Sequence, residues 1–306
     1  MGEPNTKKGR LKLIFLVDTE ADFYYKIPSP HFSKLDMIKW RLNKIAGKYF
    51  RYPWPSRKGI LNLIQVLKEN KFPATFCVCG HLFLKECNGF PHFGEKAPEN
   101  RWYHNKIGKN WYYWDKCGNF MKNPGLFLGD IIESNRDNKL FDFGLHAFSH
   151  EALTLESKST VNSIVKAGVL AAESRGVKIK SFACPFELTE DEKDPNKVFD
   201  VLKENKIKRI FYAGKDLGLI KKRNMDIKKP EKDKNLEKIW ISGYFEGTSN
   251  KEYLKRIIKS IKENYNKDAV YCLVTHDFTH KNTKNVRFML NEIKKMESEN
   301  LIKIIN

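Results

Sequence analysis

The sequence predicts an α/β fold, and within that class a closed or distorted β/α barrel. Three observations carry the prediction. Strand-like and helix-like segments alternate along most of the 306 residues, the pattern of a parallel sheet with helical crossovers. The residues with reactive side chains, Asp18, His146 and His276 among them, directly follow strand-like runs at widely separated positions, and barrels gather catalytic groups at the C-terminal ends of their strands. No internal repeat and no glycine-rich phosphate loop occurs, which turns the reading away from an open sheet that binds a nucleotide cofactor.

Short apolar runs bounded by polar or turn residues read as strands over Lys12–Val17, Ala74–Val78, Leu140–Leu145, Ser181–Cys184, Arg209–Tyr212, Ile239–Ser242 and Ala269–Thr275. Longer segments with apolar residues at helical spacing read as helices over Gly59–Asn70, Ser159–Ser174, Asn196–Asn205, Glu252–Tyr265 and Lys284–Glu299. The elements form one domain, residues 1–306, with ample apolar residues for a core.

Two long insertions break the regular spacing. The first, Phe23 to Arg57, mixes Tyr24, Tyr25, Trp40, Tyr49, Tyr52 and Trp54 with basic residues. The second, Glu86 to about Pro124, holds His92, Trp102, Tyr103, His104, Trp111, Tyr112 and Trp114 among glycines and lysines. Loops of this length are usually functional or disordered, and so many large aromatics argue against disorder. Aromatic faces suit sugar rings and basic side chains suit phosphate, which makes Trp111 and Trp114 candidate substrate contacts.

Six cysteines are scattered without a paired Cys-x-x-Cys spacing and read as reduced core thiols, Cys77 and Cys79 sharing one face of a strand. The early apolar run Leu11–Val17 is broken by Lys12 and leads into acidic residues, and no segment is long and apolar enough to span a bilayer, so the expected address is cytoplasmic. The formal charge of +19, concentrated in stretches such as Lys221-Lys222-Arg223 and Lys228-Lys229, attracts phosphate-bearing partners. No nucleic-acid-binding motif accompanies it, and no nucleic acid is expected as a partner.

The most informative stretch is Phe141-Asp142-Phe143-Gly144-Leu145-His146-Ala147-Phe148-Ser149-His150. If the residues after Gly144 curl into a helical turn, His146 and His150 fall on one face and point at one ion. Val17-Asp18-Thr19-Glu20-Ala21-Asp22 supplies carboxylates at another strand end, and one carboxylate with two histidines is the open, three-ligand set of a hydrolytic divalent-metal centre. His276 after the late strand fits a general acid, with Asp277 as its orienter.

Asp18-Thr19-Glu20, His146-Ala147-Phe148-Ser149-His150, Phe182-Ala183-Cys184-Pro185-Phe186 and Thr275-His276-Asp277, in that order, resemble the motifs of the metal-dependent polysaccharide deacetylases of carbohydrate esterase family four. The resemblance runs from about Lys12 to Asn306 and is nearest to intracellular branches with aromatic insertions, among them deformylases and deacetylases of lipid-linked amino sugars. It implies a distorted barrel, usually of seven strands. It also implies that Asp18 is the catalytic base, Glu20, His146 and His150 the metal ligands, and His276 the general acid, with Pro185 and Tyr212 beside the substrate. Three departures stand out. Thr19 separates the two acidic residues, so Glu20, Asp22 or Asp18 is the ligand and the base and ligand labels can exchange. The arginine common beside the third-motif proline is replaced by Ala183, Cys184, Phe186 and Glu187. The usual tryptophan and aspartate of a later strand have only Tyr212 and Asp216 as stand-ins.

The expected function is therefore hydrolysis of a non-peptide carbon–nitrogen bond: removal of an acetyl or formyl group from an amino sugar. The metal is expected to be zinc first, with cobalt, nickel or iron also accepted by this donor set. A basic protein on the cytoplasmic side suits a phosphate- or lipid-linked sugar intermediate of surface glycan synthesis, with peripheral contact to an anionic membrane face. Three rival readings remain: an inactive carbohydrate-binding barrel, an amidohydrolase for a small non-sugar amide, and an RNA-binding protein with structural histidines.

Overall fold

The computed structural model describes residues 10–23, 33–45, 55–100, 111–115, 117–187, 189–191, 193–213 and 226–306. Tyr24, Tyr25, Tyr49, Tyr52, Trp54, Trp102, Tyr103, His104, Asp216 and Lys221-Lys222-Arg223 lie outside the described residues, as does the side chain of Trp40.

The chain runs through β1 (Leu11–Thr19), α1 (Lys34–Ile45), α2 (Pro55–Glu69), β2 (Ala74–Val78), β3 (Glu86–Cys87), β4 (Gly118–Asn119), α3 (Gly129–Glu133) and β5 (Phe141–Leu145). It continues with α4 (Lys158–Glu173), β6 (Ser181–Ala183), α5 (Lys197–Glu204), β7 (Arg209–Tyr212), β8 (Glu231–Asp233), β9 (Leu236–Tyr244), α6 (Lys251–Glu263), β10 (Val270–His276), α7 (Lys284–Ser298) and β11 (Ile302–Ile305). Strands β10, β1, β2, β5, β6, β7 and β9 are neighbours in that order, and β9 pairs back onto β10. The result is the closed, seven-stranded parallel barrel that the alternation and the motifs lead one to expect.

The barrel is distorted at two joints. Between β5 and β6 the ladder has a single register pair, Leu145 with Phe182. Between β9 and β10 the register shifts at Cys272/Leu273, as a bulge does where a strand must bend. Besides the separate β3–β4 ladder, two described strands lie outside the ring: β8, antiparallel to β9, and β11, which extends the sheet beside the first half of β1. Both sit in stretches the sequence reading left unassigned, as do α1, α3 and the two-residue ladder β3–β4.

Strand periodicity divides the core. Leu11, Leu13, Phe15 and Val17 face the helices and join the large cluster with Leu63, Leu67 and Phe76. Ile14 and Leu16 face inward and fill the barrel with Cys77, Ala183, Phe211, Ile239, Ile241, Cys272 and Val274, the two-residue alternation of a barrel strand. Cys79 lies beyond the end of β2 and packs on the outer cluster, so it does not share the inward face of Cys77. No disulfide forms. Four thiols are buried, but Cys87 is half-buried and Cys117 exposed, so the reading of all six as core thiols fails for the two in the second insertion.

Helix α2 packs directly on the turn that follows β10. A Cβ at Gly59 would fall 2.0 Å from the Asp277 carbonyl oxygen, and Asn62 Nδ2 donates to the carbonyls of His280 and Lys281 at 2.9 and 3.1 Å. His280 is fully buried with Nε2 2.6 Å from Thr275 Oγ1, and burial pushes its imidazole down to about 4.

Gly59→Ala should lose about 1–3 kcal/mol in urea unfolding, because the backbone oxygen it meets has no rotamer to give; a gain, as helix propensity alone would produce, would show a looser contact. Between the ordinary histidine range and about pH 4, the unfolded chain binds a proton at His280 that the folded chain does not. Stability should therefore fall as pH falls through that window, and His280→Gln should flatten the slope by up to one proton.

Candidate metal centre

The inward periodicity of three strands delivers the reactive groups. On β1, Asp18 continues the face of Ile14 and Leu16; on β10, His276 continues that of Cys272 and Val274; on β5, His146 follows Gly144 by two residues. Asp18 is the register partner of both His276 and Cys77, so these side chains meet above the packed interior, at the C-terminal rim. Gly144 is required just below it: a Cβ there would lie 2.8 Å from the Ser181 carbonyl oxygen and 2.9 Å from Cys77 Sγ.

His146 and His150 are brought together by a turn and not by a helix. Ala147 and His150 have φ of 55° and 65°, left-handed values that L-residues adopt at a cost. Gly80 and His81 donate their amides to the Ala147 and Phe148 carbonyls at 2.8 and 2.9 Å. The buried Glu151 carboxyl accepts from the amides of Phe148 and Ser149 and from Ser149 Oγ at 3.0, 2.7 and 2.5 Å. His146 Nδ1 faces the Ala183 carbonyl at 2.9 Å, which assigns the proton to Nδ1 and leaves Nε2 as an acceptor.

Glu20 completes the group. Its Oε1 lies 3.6 Å from His146 Nε2, 3.2 Å from His150 Nε2 and 3.5 Å from His276 Nε2. One ligand atom from each of Glu20, His146 and His150 falls within 4.8 Å of the others. Glu20 Oε2, His146 Nε2 and Asp18 Oδ1 are buried without a hydrogen-bond partner. Buried acceptors left unpaired are expensive, and a carboxylate with two imidazoles is a donor set that a divalent cation satisfies. These residues fit a metal.

The electrostatics separate the two acidic residues. Burial pushes the Asp18 carboxyl up, against the pull of His146 and His276. Burial acts in the same sense on Glu20, but His150, His146 and His276 outweigh it and hold Glu20 well below the usual carboxylate range. Burial opposes charge on His276 as well; Glu246, Glu20 and Asp18 overcome it and hold the imidazole well above its ordinary value.

Glu246, two residues beyond β9, is the member the sequence reading missed. Its Oε1 lies 2.6 Å from His276 Nδ1, and its Oε2 accepts from Thr279 Oγ1 at 2.8 Å. Glu246, not Asp277, thus orients His276. Asp277 instead accepts from the amides of Glu20 and Ala21 at 3.1 and 3.2 Å; burial pushes its carboxyl up to about 8. A carboxylate just past a predicted strand was the available signal for Glu246.

The other predicted residues spread out. Asp22 donates its amide to the Gly125 carbonyl, and its carboxyl group occupies the space a Cβ on Gly125 would need, so Glu20 and not Asp22 joins the histidines. Pro185 is buried after β6 and precedes Phe186 and Glu187, with φ of 56° and 60°; the Phe186 ring meets His150 edge-on at 4.4 Å. Glu187 stands near the place expected for an arginine, its carboxyl pushed well up by burial and by Asp18. Trp111 and Trp114 are each 2% exposed. Trp111 Nε1 donates to Ser149 Oγ at 2.9 Å, and Trp114 packs edge-on against Phe23, so neither ring offers an open face to a sugar. Tyr212, at the end of β7, is buried against Trp240 and Phe199.

No family model matches the sequence, and no curated protein matches it. Solved structures do. A provisionally assigned polysaccharide deacetylase from Mycobacterium smegmatis aligns over 98% of this chain and 88% of its own, with 13% identity and a TM-score of 0.61. The allantoinase Puue aligns over 98% of this chain and 89% of its own, with 11% identity and a TM-score of 0.57. At such identities the likeness concerns the fold: the chain has the distorted β/α barrel that a deacetylase-named protein and an allantoinase also have.

Proposed function

We propose that the protein is a metal-dependent hydrolase that removes an acetyl or formyl group from the nitrogen of an amino sugar. The observation that supports this reading is the convergence of Asp18, Glu20, His146, His150 and His276 at one barrel rim, with buried acceptors that a cation would satisfy. Glu20, His146 and His150 would hold a divalent cation, which would supply the Lewis acidity that acidifies water and polarises an acyl carbonyl.

The rest of the reaction falls to the chain. Asp18, its carboxyl raised toward the range useful for a base, takes the proton of the attacking water. His276 is held by Glu246 at Nδ1 and presents Nε2 to the cluster. As the carbon–nitrogen bond breaks, it gives a proton to the departing nitrogen, so that one water is divided between a carboxylic acid and a free amine. Asp277 is a positioning residue that fixes the backbone of Glu20.

The net charge of +19 supports a phosphate-bearing substrate, and with it an anionic membrane face as a docking surface. A small non-sugar amide is the second reading, favoured by the burial of Trp111 and Trp114. A panel of N-acyl sugars, sugar phosphates and simple amides decides between them. Turnover should be fastest on the phosphate-bearing sugars and fall with added salt; activity confined to small amides overturns the sugar assignment.

In elemental analysis His146→Ala should lose the metal of this centre together with activity, whereas Asp18→Asn should keep it and lose turnover. The opposite behaviour of Asp18→Asn and Glu20→Gln would exchange the roles of base and ligand. Glu246→Gln should leave metal content intact and reduce kcat about 10²–10⁴-fold. Because removal of that carboxylate lowers the proton affinity of His276, the alkaline limb of the rate profile should move to lower pH; an unmoved limb would remove Glu246 from the mechanism.

A further inference from the structure

The segment between β2 and β5, which contains the second insertion, holds a second convergence that the proposed reaction does not use. One ligand atom from each of His81, Cys87, His92 and Asp115 lies within 4.8 Å of the others, against roughly 3.5 Å between tetrahedral ligands bound at about 2.1 Å. His81 follows β2 directly, Cys87 is on β3, His92 is in the next loop, and Asp115 ends the aromatic turn Trp111–Trp114.

The two imidazoles are oriented as metal-bound histidines usually are, with one ring nitrogen anchored and the other directed inward. His81 is fully buried; its Nδ1 faces the Leu126 carbonyl at 2.9 Å, and its Nε2 is buried with no hydrogen-bond partner. His92 Nδ1 meets Glu95 Oε1 at 2.5 Å, while its Nε2 lies 3.1 Å from Asp115 Oδ2. Glu95 is held in turn by the amides of His92 and Phe93 at 2.9 Å. Cys87 Sγ lies 3.2 Å from Asp115 Oδ1. Hydrogen bonding alone thus accounts for His92, Cys87 and Asp115 and leaves His81 Nε2 out, at a cost of about 1–3 kcal/mol.

We propose that His81, Cys87, His92 and Asp115 form a second metal site, structural in role, for zinc or a cation of the same class. A thiolate, a carboxylate and two neutral imidazoles balance a divalent charge and fill four positions, leaving none for substrate, as structural zinc sites do. The site staples the insertion to the barrel. The amides of Gly80 and His81 reach the carbonyls of Ala147 and Phe148, and Trp111 reaches Ser149, so the loop that carries His146 and His150 rests on the stapled segment.

Titration of the metal-free 306-residue chain with cobalt(II) tests the site, because the Glu20, His146 and His150 centre has no sulfur donor. Two cobalt ions per chain and a thiolate-to-cobalt charge-transfer absorption are expected. His146→Ala/His150→Ala should bind one cobalt and keep that absorption, so failure of the first centre is distinguishable from failure of the second. Cys87→Ser should lose the absorption with an unchanged circular dichroism spectrum, and Cys117→Ser should retain it. In the wild type, zinc should protect Cys87 from alkylation, mapped by mass spectrometry, which decides the matter even if Cys87→Ser does not fold. Absence of the absorption from the wild type, its persistence in Cys87→Ser, or alkylation of Cys87 unaffected by zinc would overturn the site.

Discussion

A buried carboxylate surrounded by imidazoles governs the upper end of this barrel. Glu20 has three ring nitrogens within 3.2–3.6 Å of one oxygen, and its charge is tolerable away from water only with a compensating positive charge in that group. The backbone around it is arranged to keep that geometry. Asp277 takes the amides of Glu20 and Ala21, and α2 presses on the turn behind Asp277 through a side-chain-free Gly59. Five residues other than glycine with positive φ, namely Ala21, Ala147, His150, Phe186 and Glu187, flank the same rim. Such conformations cost on the order of 1–3 kcal/mol each, and they persist where surrounding contacts over-determine the chain.

The ring strands were legible because a barrel strand is written in short, continuous apolar runs, and the long helices because their apolar stripes repeat with helical spacing. Ala74–Val78 and Arg209–Tyr212 match their predicted bounds, and the other ring strands and long helices overlap theirs. The short elements β3 and β4 were not legible, since two residues carry no periodicity. Strand β11 was missed because four residues at a chain end read as well as a coil. At the site, residue type and strand-end position pointed to Asp18, Glu20, His146, His150 and His276. The partners that orient them escaped, since a hydrogen bond between Glu246 and His276 spans 30 residues and follows only from the closure of β9 on β10. The aromatic count misled in the opposite direction: Trp111 and Trp114 are spent on internal packing.

His81, Cys87, His92 and Asp115 show why distance along the chain hides a cluster. Cys87 and Asp115 are 28 residues apart, without a Cys-x-x-Cys or His-x-x-x-His spacing to announce them. They meet because the β3–β4 pair folds the insertion back, Cys87 opposite Gly118, and because Leu126 and Glu95 turn the two imidazoles the same way. The insertion is thus packed as part of the molecule's framework: Trp111 reaches Ser149, and Gly80 and His81, just before the insertion, are in direct backbone contact with Ala147 and Phe148.

The joint between β5 and β6 has a further consequence. His146 stands on one side of it and Pro185 on the other, yet the two strands share only the Leu145–Phe182 register pair, while β1 and β10 share seven. A seam with so few backbone bonds has the least to lose by parting, so breathing of the barrel should begin there. The rim would then widen beside His146 without unzipping the strand pair that carries Asp18 and His276. Amides of β6 that face β5 would exchange with solvent before those of β1, while those paired with β7 would stay protected.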